Sequence, residues 1–346
     1  MRVEKHFNDR PVSTLTPVPR MILYSAALLV GFLVLFKSAD QFVVGAVATA
    51  RNFNISPMII GLTIVALGTS APEIFVSGIS SLQNQPELAV GNAIGSNIAN
   101  IGMVLGITAI MVPLKFRADI LRNDVPIMVF VTLCAGATLI DYRLGMWDGL
   151  LLFAGLVLFL FRLGVEHQKS SQAELAAEIQ EMSEIPDMSN LRAIFTFLLA
   201  LLFLLLSSEL LVWAVKNIAT NMGVSELVIG LTVIAVGTSL PELVVSVTSA
   251  LKEQTDMAIA NIVGSNILNI LAVLSIPCVI SPTAIQFELL WRDYVLMLGL
   301  TMLLVCFAYT GSGSLNRIKG ILMVSIWIGY LVVLYFSAMD GSAARL

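Results

Sequence analysis

Residues 61–110 read GLTIVALGTSAPEIFVSGISSLQNQPELAVGNAIGSNIANIGMVLGITAI, and residues 230–279 read GLTVIAVGTSLPELVVSVTSALKEQTDMAIANIVGSNILNILAVLSIPCV. The two stretches align without a gap at a constant offset of 169 residues, with 25 of 50 positions identical. The same offset pairs Asp40 with Glu209, Pro113 with Pro282 and Asp124 with Asp293, so the duplication extends well past the quoted stretches. Each half of the chain is a copy of one unit.

The solvent of this unit follows from composition. Of 346 residues 58% are apolar and 12% charged, with a mean hydropathy of +0.92, whereas soluble domains carry about 25% charged residues. A spanning helix needs about 20 predominantly apolar residues. Hydropathy places such segments at 21–48, 56–82, 87–113, 124–142, 146–165, 191–216, 226–251, 257–281, 290–310 and 318–338. The expected fold is therefore an all-α integral membrane protein of ten transmembrane helices. It divides into a tail (1–20), a first five-helix repeat (21–165), an acidic linker (166–190), a second five-helix repeat (191–338) and a short tail (339–346). The N-terminal 20 residues lack a small-x-small cleavage site ahead of the first span and read as a tail rather than a signal peptide. An odd number of spans per copy makes the second copy enter the membrane from the opposite side. The copies are then an inverted pair, the architecture of alternating-access transporters, with the ligand site near the midplane where they meet.

Alternate loops hold ten Lys and Arg residues in one set (Arg51, Lys115, Arg117, Arg122, Arg162, Lys169, Arg192, Lys252, Arg317, Lys319) and four in the other (Arg143, Lys216, Arg292, Arg345). By the positive-inside rule both termini face outward and the 166–190 linker is cytoplasmic. A net charge of -4 without a basic run excludes a nucleic-acid partner. Cys134, Cys278 and Cys306 form no Cys-x-x-Cys pair and read as small core residues.

The polar residues inside the repeat carry the chemistry. In each copy an apolar helix is interrupted, by Gly68-Thr69-Ser70-Ala71-Pro72-Glu73 in the first and Gly237-Thr238-Ser239-Leu240-Pro241-Glu242 in the second. Proline donates no amide hydrogen, so the carbonyls of Gly68 and Gly237 lose their helical partners. Such a break persists in hydrocarbon only where it faces protein, water or an ion. A carboxylate at that depth costs about 2.5–3.5 kcal/mol and must be compensated. The next span repeats the logic, with Asn92, Ser96 and Asn100 four apart on one stripe and Asn261, Ser265 and Asn269 in the copy. Gly91 and Gly95, like Ala260 and Gly264, form small-xxx-small pairs that admit a close neighbour. One such stripe is ordinary interhelical glue, but four in matched positions of an inverted repeat assemble an oxygen-only site. Hard cations take six to eight oxygens. His6 and His167, the only histidines, lie outside the spans, so no histidine relay is available.

G-T-S-x-P-E followed by G-N-x-x-G-S-N-x-x-N, once per half with Ala260 opening the second instance, resembles the two repeats of the calcium/cation antiporter superfamily. The chain looks like a bacterial sodium/calcium exchanger of the YrbG-like branch. The resemblance implies Glu73 and Glu242 as central calcium ligands. It implies Thr69, Ser70, Thr238, Ser239, Ser96, Asn100, Ser265 and Asn269, with the carbonyls of Gly68 and Gly237, as ligands of calcium or of the surrounding sodium sites. It implies that the first span and 191–216 slide as a pair. Calcium and sodium are then cargo, with no cofactor, no enzymatic activity and no obligatory protein partner. A proton/calcium antiporter using the same glutamates is the alternative. A channel would need a continuous pore, and an intramembrane enzyme a nucleophile-base pair that these motifs lack. Asp40 and Glu209 read as structural or vestibule residues, since no helix break accompanies them, and Asp124 and Asp293 as near-water carboxylates at span ends.

Overall fold

The computed structural model describes residues 17–169, 187–222, 235–310 and 313–343. Among these, eight helices are long and apolar enough to cross a bilayer, and one further crossing is a pair of helices bent by 44° at their junction. In chain order the helices are α1 (Pro17–Asn52), the bent pair α2 (Met58–Thr69) and α3 (Ala71–Leu82), α4 (Pro86–Met111), α5 (Ile120–Leu139) and α6 (Met146–Lys169). The second copy contributes α7 (Asn190–Asn221), α8 (Ala235–Thr238), α9 (Leu240–Leu251), α10 (Thr255–Ile280), α11 (Leu289–Tyr309) and α12 (Arg317–Ala343). The start of the expected seventh span, 226–234, and most of the acidic linker lie outside the described residues.

The duplication is visible in the backbone. The turns after α3 and α9 place Asn84 (φ 57°) and Glu253 (φ 63°), equivalent positions, in the left-handed region. Each is closed by the same bond, Gln85 N–H to Ser80 O and Gln254 N–H to Ser249 O, both 2.8 Å. Midway along α4 and α10, single π-helical turns begin at the equivalent residues Asn100 and Asn269. Such turns widen a helix by one residue and occur mostly at functional sites.

Two short antiparallel ribbons fix the handedness of the arrangement. β1 (Leu114–Lys115) pairs with β4 (Ser314–Leu315), and β2 (Arg143–Leu144) with β3 (Thr283–Ala284). The spanning helix α5 separates β1 from β2, so the ribbons sit at opposite ends of the bundle. β1 and β3 are equivalent in the two copies yet belong to different ribbons. Equivalent points therefore lie at opposite ends, and the copies are inverted. Packing crosses the copies too, for α12 lies against the end of α4 and α6 against the end of α10.

Burial sorts the helices. Inside the molecule 78% of the apolar window of α4 and 83% of that of α10 are buried, against 17% for α12, so α4 and α10 form the centre. α1 and α7 pack along one another as a separate pair with its own apolar cluster, including Phe42 stacked on Phe197 at 4.7 Å. Gly45 permits this, since a Cβ there would meet the Phe197 backbone nitrogen at 2.6 Å. With 36 and 32 residues these helices are about 54 and 48 Å long. They exceed the hydrocarbon thickness of about 30 Å. Both overrun the expected bounds 21–48 and 191–216, because their polar ends continue the helix past the apolar stretch.

One expectation about charge is corrected. Asp124 is not a near-water carboxylate, being fully buried, with Arg162 Nη1 3.0 Å from its Oδ1. Asp293 is largely enclosed, held by Arg292 at 2.7 Å and by the Tyr330 hydroxyl at 3.0 Å. Hydropathy locates the end of a span but not the neighbouring helix that closes over it.

Candidate cation site

The site forms where the two helix breaks face the central helices. At Ser70 (φ -81°, ψ 7°) the chain leaves helical geometry between α2 and α3, and Ser239 (φ -90°, ψ 6°) does the same between α8 and α9. Pro72 and Pro241 open the helices that follow, where the missing N–H costs nothing. The glutamates stand in the first turns of α3 and α9. A helix N-terminus stabilises a carboxylate through its exposed amides and dipole. Glu73 is 1% exposed and Glu242 is fully buried. They are close enough to repel one another.

Each carboxylate faces the hydroxyls of the opposite copy. Ser70 Oγ donates to Glu242 Oε1 at 3.0 Å and lies 3.1 Å from Ser265 Oγ, while the Thr69 hydroxyl donates to Asn261 Oδ1 at 3.2 Å. Glu73 is faced by Thr238 and, at 3.5 Å, by Ser96 Oγ. The Asn92 amide donates to the Glu73 carbonyl at 3.1 Å and that of Asn261 to Ser246 Oγ at 3.0 Å. The twelve residues expected at the site lie on these two breaks and on the stripes of α4 and α10.

The carbonyls differ from expectation in one respect. That of Gly237 accepts a bond from Ser208 Oγ of α7 at 3.1 Å, and that of Gly68 accepts a backbone N–H within the capping turn. Each keeps a second lone pair, but neither is wholly freed. The close approach expected of Ala260 and Gly264 is present. A Cβ on Gly61 would meet Ala260 Cβ at 2.9 Å, and one on Gly264 would meet the Leu62 carbonyl at 2.7 Å. For Gly91 and Gly95 the equivalent neighbour, 230–231, lies outside the described residues.

The Asn97–Asn266 pair went unrecognised in the sequence, as did the partner of Ser77, whose three-then-four spacing with Ser70 and Glu73 places it on the glutamate's face. The Asn97 amide donates to the carbonyl of its own equivalent, Asn266, at 3.2 Å, and the Asn100 amide to Asn266 Oδ1 at 3.2 Å. A contact between equivalent residues places them beside the pseudo-twofold axis. Ser77 donates to the carbonyl of Val273, inside the π-helical turn of α10, at 2.9 Å. The available signal was identity, for Asn97/Asn266 and Ser77/Ser246 are unchanged between copies.

What remains unpaired is the informative part. Seven buried oxygens of this cluster have no hydrogen-bond partner among the described residues: Glu73 Oε2, Glu242 Oε2, Thr238 Oγ1, Ser239 Oγ and the Oδ1 atoms of Asn97, Asn100 and Asn269. Each such atom costs about 1–3 kcal/mol if left unsatisfied. They lie on the breaks and central stripes that carry the two carboxylates, an oxygen-rich set that suits a hard cation, with the Met128 sulfur 3.9 Å from the Asn266 amide nitrogen at its edge.

A model of the family described as "Sodium/calcium exchanger protein" matches residues 23–165 and 192–336. The chain is 42% identical over 320 residues to the putative antiporter CaxA of Alkalimonas amylolytica, covering 92% of this chain and 100% of that protein. It is 37% identical over 318 residues to the inner membrane protein YrbG of Escherichia coli K12, covering 91% and 98%. Among solved structures, the sodium-calcium exchanger NCX_Mj soaked with 10 mM Na+ and zero Ca2+ matches with a TM-score of 0.77 at 32% identity, covering 90% of this chain and 99% of that one. Matched along nearly its whole membrane region in sequence and in fold, the chain belongs to the sodium/calcium exchanger family of multi-pass membrane transporters.

Proposed function

We propose that the protein is a secondary antiporter of the cytoplasmic membrane that exchanges sodium for calcium by alternating access, with Glu73 and Glu242 as the central cation ligands. The observation that carries this is a set of seven buried oxygens without hydrogen-bond partners among the described residues, two of them from the Glu73 and Glu242 carboxylates and five from the breaks and central stripes beside them. Two negative charges balance one calcium or two sodium ions, so the same cage accepts either cargo but not both fully loaded at once. Thr69, Ser70, Thr238 and Ser239 supply hydroxyls from the breaks, and the central helices supply the hydroxyls of Ser96 and Ser265 and the amide oxygens of Asn100 and Asn269. Gly68 and Gly237 offer their remaining carbonyl lone pairs. The names of relatives, an exchanger, an antiporter and an inner membrane protein, support the class and the membrane. The two repeats, 21–165 and 191–338, act as the inverted halves, joined by the cytoplasmic linker 166–190, with both termini outside.

Calcium uptake into proteoliposomes under sodium, potassium or proton gradients imposed in turn tests the reading. Uptake driven by an outward sodium gradient is expected. Uptake that persists without sodium and collapses with the proton gradient would replace it with proton/calcium exchange at the same glutamates.

A further inference from the structure

Among the described residues much of the packing of the two copies is duplicated. α3 on α4 matches α9 on α10, and α12 against the end of α4 matches α6 against the end of α10. α1, however, packs along α9, placing Phe42 and Val43 in one apolar cluster with Val244 and Val245. Its equivalent α7 makes no such packing on α3. The side chains report the difference, since Val244 is 5% exposed and its equivalent Phe75 is 67% exposed. At the foot of the α1–α9 contact, Lys252 Nζ lies 2.7 Å from Asp40 Oδ1. The equivalent residues are Gln83 and Glu209, and among the described residues neither a hydrogen bond nor an ion pair joins them.

An inverted repeat has two end states related by exchanging the roles of its copies. In the state described here the α1–α7 pair is docked on α9. In the exchanged state the pair docks on α3, covering Phe75 and bringing Glu209 to Gln83. A carboxylate and an ammonium attract, whereas a carboxylate and a neutral amide do not pair as ions. The charge pattern therefore departs from the symmetry of the fold at a contact where the packing of the two copies also differs.

We infer that Asp40 and Lys252 are positioning residues that latch α1 onto α9 and bias the empty transporter toward the state closed at the Lys252 end. That end also carries the β1–β4 ribbon and the Arg117–Asp256 pair, and the charge count makes it cytoplasmic. The inference rests on the alternating-access part of the proposed function but not on the identity of the ions. It also explains an intramembrane carboxylate, costly unless paired, for which the cation site has no use.

Deuterium exchange of the full chain in nanodiscs without sodium or calcium, read at residues 240–252 and 71–83, tests the latch without any transport. Lys252→Gln is expected to raise exchange at 240–252 and lower it at 71–83, by about two- to fivefold for loss of one partly exposed pair. Gln83→Lys, which gives Glu209 a partner, is expected to move both segments the opposite way relative to wild type. The charge-exchanged variant Asp40→Lys with Lys252→Asp is expected to restore the wild-type pattern. Lys252→Gln with no change at either segment, or with faster exchange at both, overturns the latch. If these shifts occur in a protein that moves no calcium, the latch stands and the ion assignment falls.

Discussion

Glu73→Gln and Glu242→Gln keep side-chain volume and one oxygen while removing one of two charges, so they separate the electrostatic role of each glutamate from its packing. The two buried carboxylates repel when no cation lies between them, so neither variant is expected to lose its fold. A bound calcium would face one uncompensated positive charge in a low dielectric. Breaking such a buried pairing costs about 3–5 kcal/mol, or hundreds- to thousands-fold in affinity. Calcium flux in proteoliposomes, beside a thermal unfolding curve, checks both halves, and near-normal flux in both variants would remove the glutamates from the site. The hydroxyls of the two breaks offer a finer contrast. Ser70 donates to Glu242, whereas Ser239 has no hydrogen-bond partner among the described residues, although both are fully buried. In chelator, Ser70→Ala is expected to lower stability by about 1–3 kcal/mol because it deprives a buried carboxylate of a donor. Ser239→Ala is expected to stay within about 0.5 kcal/mol. Both should weaken the stabilisation that added calcium confers. Equal ion-free stabilities would mean that the asymmetry between the breaks is not energetic.

At the scale of helices, the site depends on how closely α2 approaches α10. A Cβ on Gly264 would stand 2.7 Å from the carbonyl oxygen of Leu62 and 2.9 Å from its Cα. These are backbone atoms and cannot step aside, so Gly264→Ala must drive α2 away from α10. The next residue, Ser265, contacts Ser70 at 3.1 Å, and that contact opens with it. Overpacking costs about 1–3 kcal/mol, and calcium affinity should fall alongside stability, measured as the calcium-dependent rise in unfolding temperature. A Gly264→Ala protein with undiminished calcium stabilisation would show that helix spacing here is slack. Such spacing also marks how far sequence reading reaches. The breaks, the glutamates and the stripes were legible because proline, intramembrane charge and a four-residue period each have a local physical signature. Asn97 against Asn266, the cross-paired ribbons and the burial of Asp124 beneath Arg162 join residues far apart in the chain, and no local pattern records those partners. Inversion was legible from the parity of the spans. The docking of α1 on α9 was not, because it sets two half-identical copies apart through contacts distant in the chain that no local pattern records.

For the whole transporter, the charge of the core decides which part of the cycle senses voltage. With Glu73 and Glu242 ionised the empty site carries two negative charges, and one bound calcium makes it neutral. The calcium-loaded molecule then moves no net charge between its end states, whereas moving charge across the membrane potential costs about 2.3 kcal/mol per elementary charge per 100 mV. Two sodium ions would also neutralise the core, but the exchange proposed above, by its resemblance to the calcium/cation antiporters, is expected to carry more than two per calcium, and the neutral oxygens of Asn100, Asn269 and the four hydroxyls add ligands without adding charge. The sodium-loaded molecule therefore carries net positive charge. Sodium–calcium exchange is expected to be electrogenic, accelerated by a potential that drives positive charge in the direction of sodium movement. Calcium–calcium exchange through the same site is expected to be nearly indifferent to voltage. Isotopic calcium flux in proteoliposomes clamped with a potassium gradient and valinomycin, run once with sodium and once with calcium on the opposite side, separates the two modes. Voltage-insensitive flux in both modes would mean that two sodium ions balance one calcium. Strong voltage dependence of calcium–calcium exchange would mean that the calcium-bound core is not neutral, and that one of the two glutamates holds a proton while calcium is carried.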